Sequence, residues 1–156
     1  MKPLAVACIS AFNEVQKFMS LKTDRCKGRL DAVGHIYADV VVEGSRGEIL
    51  LRNVIVDVGA SYTVLSKEVV EKVGAWPIPY TVRLELGDGR AVEADIYAVI
   101  IRLKERSAPT LAACFEGAKM VLGVRTLEDL GLRVDPTSGK LEPTRPAGSA
   151  YFYYEM

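Results

Sequence analysis

The chain has 156 residues, with 20 Lys and Arg against 20 Asp and Glu, so it carries no formal net charge. This length suits one domain, and such a chain can bury roughly 70% of its unfolded surface without disulfides or a structural metal. An apolar share of 49% excludes disorder, the missing basic excess argues against a nucleic-acid partner, and no apolar run approaches the ~20 residues that span a bilayer.

In chain order, Leu4, Cys8, Phe12, Val15 and Met19 recur at helical spacing with Asn13, Glu14, Gln16 and Lys17 between them. This predicts an amphipathic N-terminal helix rather than a signal segment. Residues 20–30 are polar and basic and read as a connector. Strands are expected over residues 32–43 and 48–56, around the turn Gly44-Ser45-Arg46-Gly47. Residues 66–73 read as a short helix with Ser66 as N-cap and Gly74 as its stop, and Trp76-Pro77-Ile78-Pro79 breaks the pattern. Two long strands, 80–86 and 91–103, flank Gly87-Asp88-Gly89-Arg90. That Asp-Gly is a hairpin signal, because such turns need residues that tolerate positive φ.

Further strands fall at 110–115 and 120–122. Residues 126–130 read as a helix, with Thr126 and Asp129 spaced as a capping box and Gly131 ending it. Residues 132–134 and 140–141 form a small closing hairpin, and a Pro/Gly-rich tail leads to Tyr151-Phe152-Tyr153-Tyr154. The expected organisation is a helical extension over 1–29, a mostly β domain over 30–143, and a tail over 144–156.

The chemistry is narrowed by what is scarce. Cys8, Cys26 and Cys114 are odd in number and far apart, which implies reduced thiols and a cytoplasmic setting rather than disulfides or zinc. The one histidine, His35, sits within a strand-like run, so a Ser-His-Asp triad, a Cys-His pair or a multi-histidine metal site is not expected. No cofactor and no metal are predicted, and carboxylates remain as the chemical groups.

The informative stretch is Val54-Ile55-Val56-Asp57-Val58-Gly59-Ala60-Ser61-Tyr62-Thr63-Val64-Leu65-Ser66. Asp57 follows three residues of buried type and precedes a flexible turn. Burying a carboxylate is costly unless it is hydrogen-bonded or shares a proton. Taken alone, Asp57 reads either as a turn residue capping its own loop or as a chemical group.

This segment resembles the active-site loop of the retropepsin-like aspartic proteases: apolar residues, Asp-Thr/Ser-Gly-Ala/Ser, then an apolar pair. About sixty residues on, Val121-Leu122-Gly123-Val124-Arg125-Thr126-Leu127-Glu128-Asp129-Leu130-Gly131-Leu132 is similar to the family's apolar-apolar-Gly strand and C-terminal helix. Between them, Leu86, Gly87, Asp88, Gly89 and Arg90 stand where the family has its flap. The resemblance covers residues 30–143. It implies a closed barrel-like β fold with a flap hairpin and a short C-terminal helix.

It further implies a C2 homodimer, each subunit giving one Asp57 to a dyad that activates water against an extended polypeptide. Val58, Gly59, Ala60 and Ser61 would form the active-site loop, with Leu122 and Gly123 as the supporting strand. The family has Thr or Ser where this chain has Val58. The hydroxyl that ties the two loops across the axis is therefore missing, and slow catalysis or a silent peptide-binding dimer is the alternative. Arg125 is near a family Gly-Arg pair, but Val124 follows Gly123 directly, so no dimer role is assigned to it.

Overall fold

The computed structural model describes residues 36–150. The expected N-terminal helix, Cys8, Cys26, His35 and the aromatic run 151–154 lie outside the described residues. Nine strands and two helices follow in order: β1 (Ile36–Glu43), β2 (Glu48–Asp57), β3 (Thr63–Val64), α1 (Lys67–Val73), β4 (Trp76–Glu85), β5 (Ala91–Leu103), β6 (Arg106–Cys114), β7 (Val121–Gly123), α2 (Val124–Asp129), β8 (Leu132–Val134) and β9 (Leu141–Pro143). The protein is mostly β, and six of the strands close a barrel in the order β1-β2-β7-β3-β6-β5. Closure comes from β1 against the end of β5, through Val41 opposite Arg102 and Val42 opposite Ile101. The first half of β5 carries β4 as an edge strand. No helix among the described residues is long and apolar enough to cross a membrane.

A bulge decides which way Asp57 faces. Early in β2, Ile49 and Leu51 turn toward the core. Register then shifts between Ala38 and Val40 of β1, and opposite the shift Asn53 takes φ +53°, its N–H donating to Asp39 Oδ1 at 2.8 Å. The extra residue reverses the inside–outside alternation. Past it, Val54 and Val56 fill the core, so Ile55 and Asp57 fall on the outer face.

The interior is built from branched aliphatics, among them Val42, Val56, Leu65, Ile101, Leu122 and Leu127, all nearly solvent-free. Helix α1 begins and ends as its sequence predicts. Ser66 Oγ accepts from Val69 N–H, and Gly74 stops the helix at φ +65°. The β1–β2 turn then caps it, with Arg46 and Ser45 N–H donating to the Val73 and Gly74 carbonyls, both at 2.8 Å.

Three elements differ from the sequence reading. Trp76-Pro77-Ile78-Pro79 lies past the helix as expected, but it already belongs to β4, which begins at Trp76 rather than Tyr80. An edge strand can hold prolines because half of its backbone donors need no partner in the sheet, and a register shift between Ile78 and Thr81 absorbs the second one. Strand β6 starts at Arg106 rather than Thr110, from a tight Lys104-Glu105 turn with Lys104 at φ +54°. Pro109 is tolerated there because the two-residue β3 pairs only with Ala112 and Ala113. Thr126 is not the N-cap of α2; Gly123 is, without a side-chain cap, and the Thr126 hydroxyl is used elsewhere.

The C-terminal end of α2 is held by two arginines. Arg106 is only 6% exposed and donates to the carbonyls of Leu130, Gly131 and Arg145 at 3.0, 3.3 and 2.7 Å. Arg145 donates in turn to the carbonyls of Glu128, Asp129 and Ser149 at 2.9, 2.6 and 2.8 Å.

Candidate active site

Asp57 ends β2, where that strand runs parallel to β7 and pairs with Gly123. The residue is 9% exposed, and its Oδ1 accepts a hydrogen bond from Gly59 N–H at 2.8 Å. Ala60 N–H donates to the Asp57 carbonyl at 3.1 Å, which closes a turn over Val58 and Gly59. The Ala60 carbonyl accepts from Val124 N–H at 2.9 Å, so the loop is fastened to the start of α2. Val58 turns its side chain onto the main core, and Ser61 is exposed.

Gly123 is required here by space. A Cβ on it would stand 2.4 Å from the carbonyl carbon of Tyr62 and 2.8 Å from Thr63 N. This close approach puts the exit of the Asp57 loop flat against β7.

Three buried threonines, to which the sequence reading assigns no such role, fix that approach. Gly123 N–H donates to Thr63 Oγ1 at 3.0 Å; Thr63 Oγ1 lies 2.6 Å from Thr126 Oγ1, which lies 2.9 Å from Thr110 Oγ1. One line of hydroxyls thus joins β3, α2 and β6 beneath the loop. In low dielectric such linked hydrogen bonds are strong and costly to leave half-made. The one local signal for them is a polar Thr63 at the inward position of an otherwise apolar strand.

Strand pairing lines up an apolar row on the outer face. Tyr37 is opposite Ile55, Ile55 beside Val121, Val121 beside Val64, Val64 beside Ala113, and Ala113 opposite Ile96. Asp57 lies one outward position beyond Ile55, at the end of this row.

The expected flap is a hairpin between β4 and β5. Leu86 N–H donates to the Arg90 carbonyl at 2.7 Å, and Gly89 N–H, at φ +87°, donates to the Leu86 carbonyl at 3.0 Å. Asp88 takes the Arg90 main-chain N–H at 3.0 Å and its Nε at 2.7 Å; that N–H first, and then the guanidinium, hold the carboxyl below its ordinary range. Gly87 is partly covered, whereas Asp88, Gly89 and Arg90 are exposed. At the hairpin base, Val82 and Leu84 pack on Ala94, Ile96 and Ala113, as does Tyr62 from the Asp57 loop. The structure thus brings Asp57, Gly59, Ala60, Leu122 and Gly123 together directly, and connects the hairpin to them through this patch.

Other chemistry is sparse. Burial pushes the Cys114 thiol up, away from the reactive thiolate. Among the described residues no group of His, Cys, Asp and Glu is placed to hold a metal ion. A cleft of about 500 Å³, where α2 meets β5 and β6, is lined by Ala98, Leu111, Arg125, Glu128 and Asp129 among others and does not include Asp57. No protein-family model matches the chain, and no curated protein matches it either.

A buried carboxylate at a strand end, held by an amide two residues on, can act as a base or as half of a proton-sharing pair. A second carboxylate of the same setting is not present in the described part of the chain. Asp88 is an exposed turn residue and Asp135 a half-buried one, each bound to its own loop.

Proposed function

We propose that the chain is one half of a homodimeric aspartic endopeptidase of the retropepsin-like kind. Two copies meet about a two-fold axis so that each contributes Asp57. Two carboxylates that close cannot both ionise comfortably; one keeps a proton while the other takes a proton from a bound water. That water attacks the scissile carbonyl, and the protonated partner donates to the carbonyl oxygen. The β4–β5 hairpin closes over an extended polypeptide. No cofactor takes part, and neither nucleic acid nor membrane is a partner.

The observation that carries this reading is the setting of Asp57. It is buried on the outer face at the end of β2, fixed by Gly59 N–H, and pressed against Gly123. A carboxylate serving only to cap a turn has no need of the bulge that turns it outward or of three buried hydroxyls beneath its loop. The test is cleavage of a denatured protein or peptide library across roughly pH 3–7, which brackets carboxylate titration. Cleavage by the wild type and none by Asp57→Asn is expected; identical behaviour of the two would sink the proposal.

Val58 favours a second reading, a peptide-binding dimer of weak or no activity. Its side chain is packed on the core of its own subunit and offers no hydroxyl to a partner. Peptide capture without cleavage would support this alternative.

A further inference from the structure

The cleft of about 500 Å³ where α2 meets β5 and β6 is not lined by Asp57. One wall is apolar, built from Ala98, Pro109 and Leu111, and Leu111 is 40% exposed. This end of β6 has a strand on one side only, because β3 pairs no further than Ala112 and Ala113. The other wall is the exposed face of α2, with Arg125, Glu128 and Asp129. Helix spacing favours ion pairs from Arg125 to the other two. Among the described residues none of the three forms one.

The described chain ends beside this cleft. Arg145 donates to the main-chain carbonyls of Glu128 and Asp129, two of the lining residues, and through Nε to the Ser149 carbonyl. Beyond Ala150 the sequence runs Tyr151-Phe152-Tyr153-Tyr154-Glu155-Met156. At roughly 3.3 Å per extended residue, its four aromatic residues can span about 13 Å. Helix α2 has six residues, so at 1.5 Å each it is only about 9 Å long. A tail laid back along α2 therefore reaches from the clamp to Arg125. Its chemistry suits the two walls: tyrosine carries an apolar ring for one and a hydroxyl donor for the other. Glu155 falls at the end where Arg125 stands without an ion pair.

We propose that this cleft is the docking site of the chain's own residues 151–156, which lie outside the described residues. Aromatic rings rest on Leu111, Pro109 and Ala98, phenol hydroxyls donate to the carboxylates of Glu128 and Asp129, and Glu155 meets the Arg125 guanidinium. The docked tail adds a second hold on α2, whose first residue, Val124, fastens the Asp57 loop through the Ala60 carbonyl. None of this depends on the endopeptidase reading. Burying even one aromatic ring favours the docked form by a factor of roughly ten or more.

The test compares amide NMR spectra of the full chain with those of a chain ending at Ala150, which keeps the Arg145 clamp. Shift differences are expected at Ala98, Leu111 and Arg125, away from the new terminus and unchanged on dilution. In a Leu111→Glu background the same truncation should leave Ala98 and Arg125 unmoved. Chymotrypsin should cut the tail of the wild type roughly tenfold more slowly than that of Leu111→Glu, since only the undocked tail is open to it. Should Leu111→Glu fail to fold, the paired changes Phe152→Ser and Tyr154→Ser in the full chain should reproduce the shifts caused by truncation. Differences confined to residues 145–150, or centred on Asp57 and Gly59, overturn the assignment. So do differences that vanish on dilution, which would place the tail on a second copy, and equal rates of chymotrypsin cleavage.

Discussion

Gly123 gives its amide hydrogen to the hydroxyl of Thr63 at 3.0 Å, across 60 residues of chain, and this bond sets how closely the Asp57 loop lies on β7. Replacing Thr63 by Val keeps the shape and removes the acceptor. The buried Gly123 N–H is then unpaired, and the expected loss is about 1–3 kcal/mol in urea unfolding. Thr63→Ser keeps the hydroxyl and should cost only its methyl group, ~0.8 kcal/mol. Equal losses in the two variants would refute the role given to the bond.

Gly123→Ala tests space rather than hydrogen bonding. The new methyl would overlap the backbone of Tyr62 and Thr63, which cannot swing aside as a side-chain end can. A destabilisation of about 1–3 kcal/mol is expected, together with loss of any Asp57-dependent cleavage as the loop is pushed off β7. Wild-type stability and activity in this variant would mean that the approach is looser than described.

The hairpin tip should respond to acid. The folded pKa of Asp88 lies below its ordinary value of 3.8, first through the main-chain N–H of Arg90 and then through its side chain. Its contribution to the tip is therefore complete above 3.8 and lost as pH falls through the lowered value. An NMR titration of the Asp88 carboxyl should show that depressed midpoint. Arg90→Ala should raise it only part of the way, because the main-chain donor remains. Full return to the ordinary value would reverse the order of the two causes.

Arg106→Met should be among the most destabilising single changes in the domain. It strips the carbonyls of Leu130 and Arg145 of the side-chain donor they share and leaves that of Gly131 with Thr144 N–H alone. A loss on the order of 3 kcal/mol by chemical denaturation is expected. Arg106→Lys should recover only part of it, since an ammonium lacks the planar fork that reaches three oxygens.

Val58→Thr should act with opposite signs on two measurements. Within one subunit it places a hydroxyl where Val58 packs on the core, so unfolding should become easier. Across the two-fold axis of the proposed dimer it would supply two symmetric hydrogen bonds, together about 1–3 kcal/mol, so sedimentation should show tighter dimers. An unchanged dissociation constant would remove the reading of this position.

Local chemistry was the most legible. Ser66 and Gly74 bound α1 because a cap and a left-handed stop act within a few residues, and Asp88-Gly89 marks its hairpin for the same reason. The outward turn of Asp57 was not legible, because it depends on a bulge at Asn53 that is defined only against β1. Prolines misled twice: Pro77 and Pro79 look like breakers until β4 is known to be an edge, and Pro109 hides the start of β6 until the shortness of β3 is known. Thr126 reads as a cap because the capping pattern is local, whereas its actual partners, Thr63 and Thr110, come from two strands distant in sequence.

The paired arginines behind α2 grip only main-chain oxygens. They are therefore indifferent to the exposed side chains at positions 128 and 129, which can be rewritten for surface charge or labelling while the hold persists; Leu130 is core and a Cβ on Gly131 would meet both arginines. What they do demand is chain length. A shortened protein ending at Pro143 would forfeit Arg145, leaving the Asp129 carbonyl to water and that of Glu128 with Gly131 N–H alone, whereas one ending at Ser149 would retain every bond of the clamp. The shortest useful polypeptide is thus set by two guanidinium groups rather than by the last strand.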